Sequence, residues 1–228
     1  MTVHDRQIFT VAAANGQLEV IKWARANRYC RWDYCVCEAA AVNGHLEILK
    51  WAHENGLALD EDKICNLAAR SGHLEILKWA RENGCPWDNW TCNGASENGH
   101  LEVLKWAREN GCPWNTKTCS WAAYYGHLEV LKWARENGCP WDEETCWGAA
   151  QNGHLEVLKW ARANGCPWNE RTCVEAAQCG HLESLNWARE NGCPWDEETY
   201  RVACGHGHKE LIQWLRDNGC PGSHDEGL

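Results

Sequence analysis

The chain has 228 residues, of which 44% are hydrophobic and 24% are charged, a composition that fits a globular protein and excludes a disordered or fibrous one. Its formal net charge of -10 argues against nonspecific binding to nucleic acid or to an anionic membrane surface. The sequence offers neither the apolar run of about 18 residues that a membrane-spanning helix needs nor the uncharged apolar segment of a signal peptide.

Cysteine and tryptophan are unusually frequent, with 16 and 17 residues respectively. Secreted disulfide scaffolds are usually small domains without a sufficient core, whereas this chain has enough apolar residues to build one. We therefore predict reduced thiols and an intracellular, cytoplasmic protein.

A short phrase is copied through the whole chain, most clearly as GHLEVLKWARENGCPW from Gly126 to Trp141. Its first glycine recurs at intervals of 28, 28 and then 27 residues. The recurring glycines are Gly16, Gly44, Gly72, Gly99, Gly126, Gly153, Gly180 and Gly207. Eight copies fill the chain, which predicts one repeat domain over residues 1–221 and a flexible tail over residues 222–228.

The first and last copies differ from the others. Phe9 replaces the repeated cysteine and Gln17 the repeated histidine in the first copy, while Lys209 and Gln213 enter the last helix. Terminal repeats of an array need a polar outer face. We therefore expect both copies to act as solubilising caps.

Each copy predicts two short helices, here called helix A and helix B. In a central copy, Asp142 and the acidic residues after it start helix A, and Cys146, Ala149 and Ala150 recur on one face. Gly153 permits a tight turn before helix B.

Helix B runs from His154 to Asn164, where Asn164-Gly165 is its stop signal, and no stretch alternates for long enough to predict a strand. Leu155, Leu158 and Ala161 share its apolar face, with glutamate, lysine and arginine on the other side.

Two motifs of each copy carry a resemblance to a known family. GHLEVLKWARENG is similar to the second-helix signature of ankyrin repeats, and TCWGAA stands where that family usually has Thr-Pro-Leu-His-x-Ala-Ala. Cys146 and its equivalents replace the Pro-Leu of the motif, and the period is 27 residues instead of about 33. The missing residues fall where ankyrin repeats carry a β-hairpin finger.

The resemblance covers essentially the whole array. It implies an all-α, ankyrin-like α-solenoid of eight helix-turn-helix repeats with β-hairpin fingers shortened or absent. Short, Trp-rich repeats of this kind look like arrays encoded by giant viruses and by algae or other protists. For function, the resemblance implies a protein–protein interaction scaffold without catalysis.

Comparison of the copies separates constant positions from variable ones. Counted from the residue that caps helix A, positions +4, +7 and +8 are nearly constant and share one face. Positions +2, +5, +6 and +9 vary most and share the opposite face, which we call the helix A stripe. Constant positions must serve the fold, so the stripe is free for another role.

The helix A stripe of the central copies is rich in aromatic residues. Aromatic and arginine clusters are the usual anchors of protein interfaces, and the resemblance implies that helix A lines a concave side. We therefore predict a partner-binding site formed by Trp90, Lys117, Trp121, Tyr124, Glu144, Trp147, Gln151, Arg171 and Glu175. In the alternative, these side chains pack on each other across repeats and the array is a structural spacer.

The tryptophans that recur in every copy have a plainer role. Trp133 and Trp160 of helix B, with Trp141 and Trp168 of the CPW turn, recur every 27 residues. They are predicted to fill the space between layers in the core of each repeat.

A metal site is the third hypothesis, because Cys139, Cys146 and His154 recur as Cys-x6-Cys-x7-His and zinc prefers such ligands. The spacing matches no known finger, and Cys146 lies on the apolar face, where a thiol behaves as a small hydrophobe. The histidine most simply bonds to the backbone of a neighbouring turn. We therefore predict no metal and no cofactor.

Catalytic motifs are absent from the sequence: it has no phosphate-binding glycine loop, no His-Glu-x-x-His and no nucleophile set apart from the repeats. We predict that the chain is not an enzyme. We expect a monomer that binds a protein partner of unknown identity, and neither nucleic acid nor membranes.

Overall fold

The computed structural model describes residues 3–27, 34–57 and 63–223, with side chains from residue 8 onward. These ranges contain sixteen α-helices and no strand, so the predicted all-α fold without hairpin fingers is confirmed there. Residues 224–228 of the predicted tail lie outside the described residues. The helices are α1 (Val3–Ala14), α2 (Leu18–Ala26), α3 (Cys35–Asn43), α4 (Leu46–Glu54), α5 (Lys63–Arg70), α6 (Leu74–Glu82), α7 (Asn89–Glu97), α8 (Leu101–Glu109), α9 (Thr116–Tyr124), α10 (Leu128–Glu136), α11 (Glu143–Gln151), α12 (Leu155–Ala163), α13 (Glu170–Gln178), α14 (Leu182–Glu190), α15 (Glu197–His206) and α16 (Lys209–Asp217).

The chain divides into two compact units, Met1–Trp114 and Asn115–Leu228. In the first unit, α1 packs on α3, α3 on α5 and α5 on α7. In the second unit, α9 packs on α11, α11 on α13 and α13 on α15. Each of these helices A also packs against the helix B that follows it. Within each unit the repeats therefore contact their nearest neighbours, as in other repeat proteins.

Side-chain caps start the helices A of the second unit, as the sequence predicts. The Asp142 side chain accepts a hydrogen bond of 3.1 Å from the backbone N–H of Glu144. Asn169 caps α13 in the same way, accepting from the backbone N–H of Arg171 at 3.1 Å. Such caps satisfy N–H groups that have no partner within the helix.

The repeated histidine ties each repeat to the turn before it. The Nε2 atom of His45 lies 3.0 Å from the carbonyl oxygen of Ala14, and that of His208 lies 2.9 Å from the carbonyl oxygen of Gln178. These contacts confirm the backbone role predicted for the imidazole. The ring also limits the preceding turn, because a Cβ on Gly153, which has φ +69°, would lie 2.6 Å from His181 Nδ1.

Small residues of helix A form the core with aliphatic residues of helix B. Cys146, Ala149 and Ala150 are fully buried, as the constant positions predict. On α12, Leu158 and Val157 are buried but Leu155 is only half-buried. The prediction of Leu155 as a core residue is therefore wrong, because it stands in the first turn, at the margin of the layer.

None of the described tryptophans is fully buried, so the prediction that the repeated indoles fill the core is also wrong. Instead, paired indoles such as Trp168 and Trp187 pack at the margin of the repeats. The Trp168 ring meets the Trp187 ring edge to face with centroids 5.9 Å apart, and the guanidinium carbon of Arg162 lies 4.0 Å from the Trp168 centroid. The indoles are structural, but they join repeats at the surface.

The two ends of the described chain differ in polarity. Ile8, Val11, Val20 and Trp23 of the first copy are all exposed, which does not match the polar outer face predicted for a cap. In the last copy, Lys209 and Gln213 are exposed and polar. Among the described helices, none combines the length and the apolar character needed to cross a membrane.

Candidate functional site

The helix A stripe of the second unit borders an open pocket of about 240 Å³ between α9 and α11. The two helices pack directly on each other, so the variable positions of one face those of the next. The lining residues are Ser120, Trp121, Tyr124 and Tyr125 at α9, and Glu144, Trp147 and Gly148 on α11. Four aromatic rings and one carboxylate therefore converge on one opening.

Gly148 lies inside α11, where glycine destabilises a helix by about 0.5–1 kcal/mol relative to alanine. Its neighbours do not require a glycine. A Cβ at this position would lie 3.4 Å from Tyr124 Cβ and 3.5 Å from the Ser120 carbonyl oxygen, which are ordinary van der Waals distances. The missing methyl group leaves space in the pocket.

Two ion pairs border the pocket. Lys117 Nζ lies 2.5 Å from Glu144 Oε2, joining α9 to α11. The Lys117 side chain is 45% exposed and the Glu144 side chain 24%, so solvent reaches both groups. On α13, Arg171 Nε lies 2.9 Å from Glu175 Oε1, and the Arg171 guanidinium carbon lies 4.0 Å from the Trp147 ring centroid. Basic side chains thus already contact the carboxylate and one ring of the site.

Eight of the nine predicted site residues lie in the second unit. The structure places Lys117, Trp121 and Tyr124 on α9, Glu144, Trp147 and Gln151 on α11, and Arg171 and Glu175 on α13. Trp121, Tyr124, Glu144 and Trp147 line the pocket together. Glu175 is buried, so it holds Arg171 and offers no surface of its own.

Trp90 is the remaining predicted residue and lies on α7 of the first unit, with 53% of its surface exposed. In that unit, Arg70 Nη2 lies 2.8 Å from Glu97 Oε1 on the same kind of stripe. Ion pairs between successive helices A therefore occur in both units.

The sequence analysis did not assign three lining residues: Ser120, Tyr125 and Gly148. Tyr125 follows α9, and its ring contacts that of Tyr124 edge to face with centroids 4.9 Å apart. Ser120 and Gly148 stand at positions +5 and +6 of the helix A stripe, so the sequence places both on the variable face. Tyr125 lies off the stripe and becomes recognisable only through the shape of the pocket.

The cysteine columns have structural roles. Cys166 Sγ donates to the Asp142 carbonyl oxygen at 3.4 Å, which ties the loop after α12 to the start of α11. A hydrogen bond with the Cys166 side chain, together with burial, raises the pKa of the Cys146 thiol far above its ordinary value. In the described part of the chain, no three His, Cys, Asp or Glu side chains are placed to hold a metal ion.

Comparison with known proteins fits this architecture. A sequence model of ankyrin repeats, which occur in many copies, matches residues 37–81. The crystal structure of the human ASB11 ankyrin repeat domain matches with a TM-score of 0.58 and 19% identity, over 70% of this chain and 84% of that chain. The fold is that of an ankyrin-repeat protein. The resemblance that the repeated phrase indicated is thus confirmed.

Ankyrin repeats generally mediate protein–protein interaction. No curated protein sequence matches the chain. Its helix A stripe must therefore be interpreted from the stripe's own residues.

Proposed function

We propose that this ankyrin-repeat chain is an interaction scaffold that binds a protein partner through the helix A stripe of its second unit. The contact residues would be Lys117, Trp121, Tyr124, Glu144, Trp147, Gln151 and Arg171, with Glu175 holding Arg171 in place. Trp90 would add a contact from the first unit. The observation that carries the proposal is the open aromatic pocket between α9 and α11.

Half-buried indoles favour an interface because covering their remaining exposed surface removes apolar area from water. Burying such surface stabilises by about 25 cal/mol per Å². Trp121 and Trp147 lie on a face that the constant core positions do not use. A partner that covers both rings would therefore gain binding energy without disturbing the repeat core.

The proposal includes an intracellular, cytoplasmic location, in the host cytoplasm if the chain is viral. It assigns the chain no catalysis, no cofactor and no affinity for nucleic acid or membranes. It takes the binding species to be a monomer, with the repeats over residues 1–221 acting as one binding domain.

The experiment measures binding isotherms with a partner captured from cells of the source organism, beside thermal melts of each variant. Trp147→Ala and Trp121→Ala should each weaken binding by about 1 kcal/mol or more, roughly fivefold in Kd, with little change in Tm. Glu156→Ala on α12 is the control, because that side chain is 76% exposed and pairs only locally with Lys159.

A structural spacer is the second candidate. The observation that favours it is that Arg171 already covers part of Trp147 and Lys117 already pairs with Glu144. If the stripe only packs on itself, the two tryptophan variants should lower the Tm and leave partner affinity unchanged. An effect of Glu156→Ala on binding larger than that of either tryptophan would also reject the proposed interface.

A further inference from the structure

We infer that the pocket between α9 and α11 receives an arginine side chain of the partner protein. This inference rests on the proposed function and names the group that the pocket recognises.

The lining of the pocket favours a cation. Trp121, Tyr124, Tyr125 and Trp147 supply aromatic rings, and Glu144 supplies a carboxylate. Of the described residues that line the pocket, none is basic. A cation gains energy both from the negative face of an aromatic ring and from an opposite charge nearby. The net charge of -10 also attracts a basic partner over longer distances.

The protein's own arginines show the geometry that a guanidinium adopts here. Arg171 stacks on Trp147 with its guanidinium carbon 4.0 Å from the ring centroid. In the CPW turn, Arg162 stacks on Trp168 at 4.0 Å and also donates through Nη1 to the carbonyl oxygen of Cys166. A planar guanidinium stacks in parallel on a ring while it donates in its own plane, a geometry that a compact ammonium does not offer.

Glu144 would supply the acceptor for the incoming guanidinium. Its carboxylate has about four sites that accept hydrogen bonds. Lys117 occupies part of them, at 2.7 Å from Oε1 and 2.5 Å from Oε2. Because both side chains reach solvent, Lys117 is placed to exchange with a basic residue of the partner.

Gly148 leaves space in the pocket at a cost in helix propensity. An alanine would fit the distances at this position and would favour the helix, yet the residue is glycine. Gly205 is a matched control, because it lies within α15 with nothing within 4 Å of its potential Cβ. A methyl group at Gly148 should narrow the pocket, whereas one at Gly205 should not.

The test titrates the full chain with Nα-acetyl-arginine N-methylamide and follows the indole N–H signals of ¹⁵N-labelled tryptophan by NMR. The signals of Trp121 and Trp147 are assigned with Trp→Phe variants. The arginine probe should shift both signals saturably. The matching citrulline and leucine probes, which lack the charge, should bind at least about tenfold more weakly, and the lysine probe at least about threefold more weakly.

Four variants test whether each proposed contact strengthens or weakens binding of the arginine probe. Glu144→Gln and Gly148→Ala should each weaken binding of the arginine probe by about fivefold or more, whereas Gly205→Ala should leave it unchanged. Lys117→Met should strengthen it, because the competing ammonium is gone. Thermal melts accompany every variant, and Gly148→Ala should raise the Tm while it weakens binding.

Absence of a saturable shift with the arginine probe, or equal binding of the leucine or citrulline probe, would overturn the inference. Tighter binding of the lysine probe would overturn the choice of arginine. If the captured partner still requires Trp147 in these cases, the proposed interface stands and only its ligand class is wrong. If neither the partner nor the probe depends on Trp147, both fail.

Discussion

The Cys166 thiol donates a hydrogen bond to the Asp142 carbonyl oxygen at 3.4 Å, and so connects the loop after one helix B to the residue that caps the helix A before it. The same contact joins Cys139 to Asn115 and Cys193 to Asn169. Buried thiols with such partners are part of the packing of each repeat.

Thiol accessibility predicts a strong contrast in chemical reactivity. Cys179 and Cys204 are exposed, whereas Cys146 and Cys173 are buried with pKa values raised by hydrogen bonds to Cys166 and Cys193 and by burial. Brief treatment of the native chain with iodoacetamide should modify Cys179 and Cys204 before the buried thiols Cys146 and Cys173. Peptide mass spectrometry before and after unfolding in urea measures this. Equal labelling of Cys146 and Cys204 in the native state would contradict the packing described.

The aliphatic core of helix B predicts unequal costs for two leucines of α12. Leu158 is fully buried, so Leu158→Ala should lower the free energy of unfolding by about 2–5 kcal/mol. Leu155 is only half-buried, so Leu155→Ala should cost clearly less. Urea unfolding followed by circular dichroism measures both. A larger loss of unfolding free energy from Leu155→Ala than from Leu158→Ala would contradict the placement of Leu155 at the margin of the layer.

Two glycines in and beside α11 should respond in opposite directions to alanine. Gly148→Ala should raise the free energy of unfolding by about 0.5–1 kcal/mol, since its Cβ meets only ordinary contacts. Gly153→Ala should lower it by more than about 1 kcal/mol, because φ is +69° and the new Cβ would approach His181. Chemical unfolding of the two variants and of the wild type measures both changes. Changes of the same sign in the two variants would contradict the turn geometry described for Gly153.

Stability should depend on pH through His154. Burial and the neighbouring His127 and His181 lower the pKa of His154 from its ordinary 6.5 in the folded chain, despite the opposing effect of the Tyr124 carbonyl. As the pH falls below 6.5, the unfolded chain therefore binds more protons at His154 than the folded chain does. The stability that neutral His154 contributes to the folded chain is present at higher pH and is lost as the pH falls below 6.5.

The matched variant is His154→Gln, because Gln17 already occupies the equivalent position of the first copy. Between about pH 7.5 and about pH 5, the free energy of unfolding should fall less in this variant than in the wild type. An identical pH dependence in the two proteins would show that His154 is not a source of it.

Much of the fold could be predicted because each repeat is specified locally. The cap at Asp142 and the apolar face of Cys146, Ala149 and Ala150 follow from residue type and helical spacing alone. Periodicity does not decide which of several aliphatic residues faces inward at a layer margin, so Leu155 was assigned wrongly. The recurrence of Trp168 at a constant position of each copy likewise indicated a structural role, but it did not reveal that the ring is only half-buried.

The candidate site was predictable in part. Trp121 and Trp147 were found because variable positions of helix A share one face, and the structure places both at one pocket. Tyr125 was missed because it lies beyond the stripe and reaches the pocket only through the way two helices lie against each other. The burial of Glu175 was also beyond the sequence, since it depends on the neighbouring helices and on its pairing with Arg171.

The edge-to-face tryptophan pairs have a spectroscopic consequence. Trp141 and Trp160, Trp168 and Trp187, and Trp195 and Trp214 hold their ring centroids about 6 Å apart at interplanar angles of 65–70°. Indole transitions at this separation couple with one another, so the folded chain should carry an aromatic exciton band on top of its helical circular dichroism. Helix content read from the far-ultraviolet spectrum alone would be biased by that band. Loss of the exciton band would show that neighbouring repeats separate before the helices unfold.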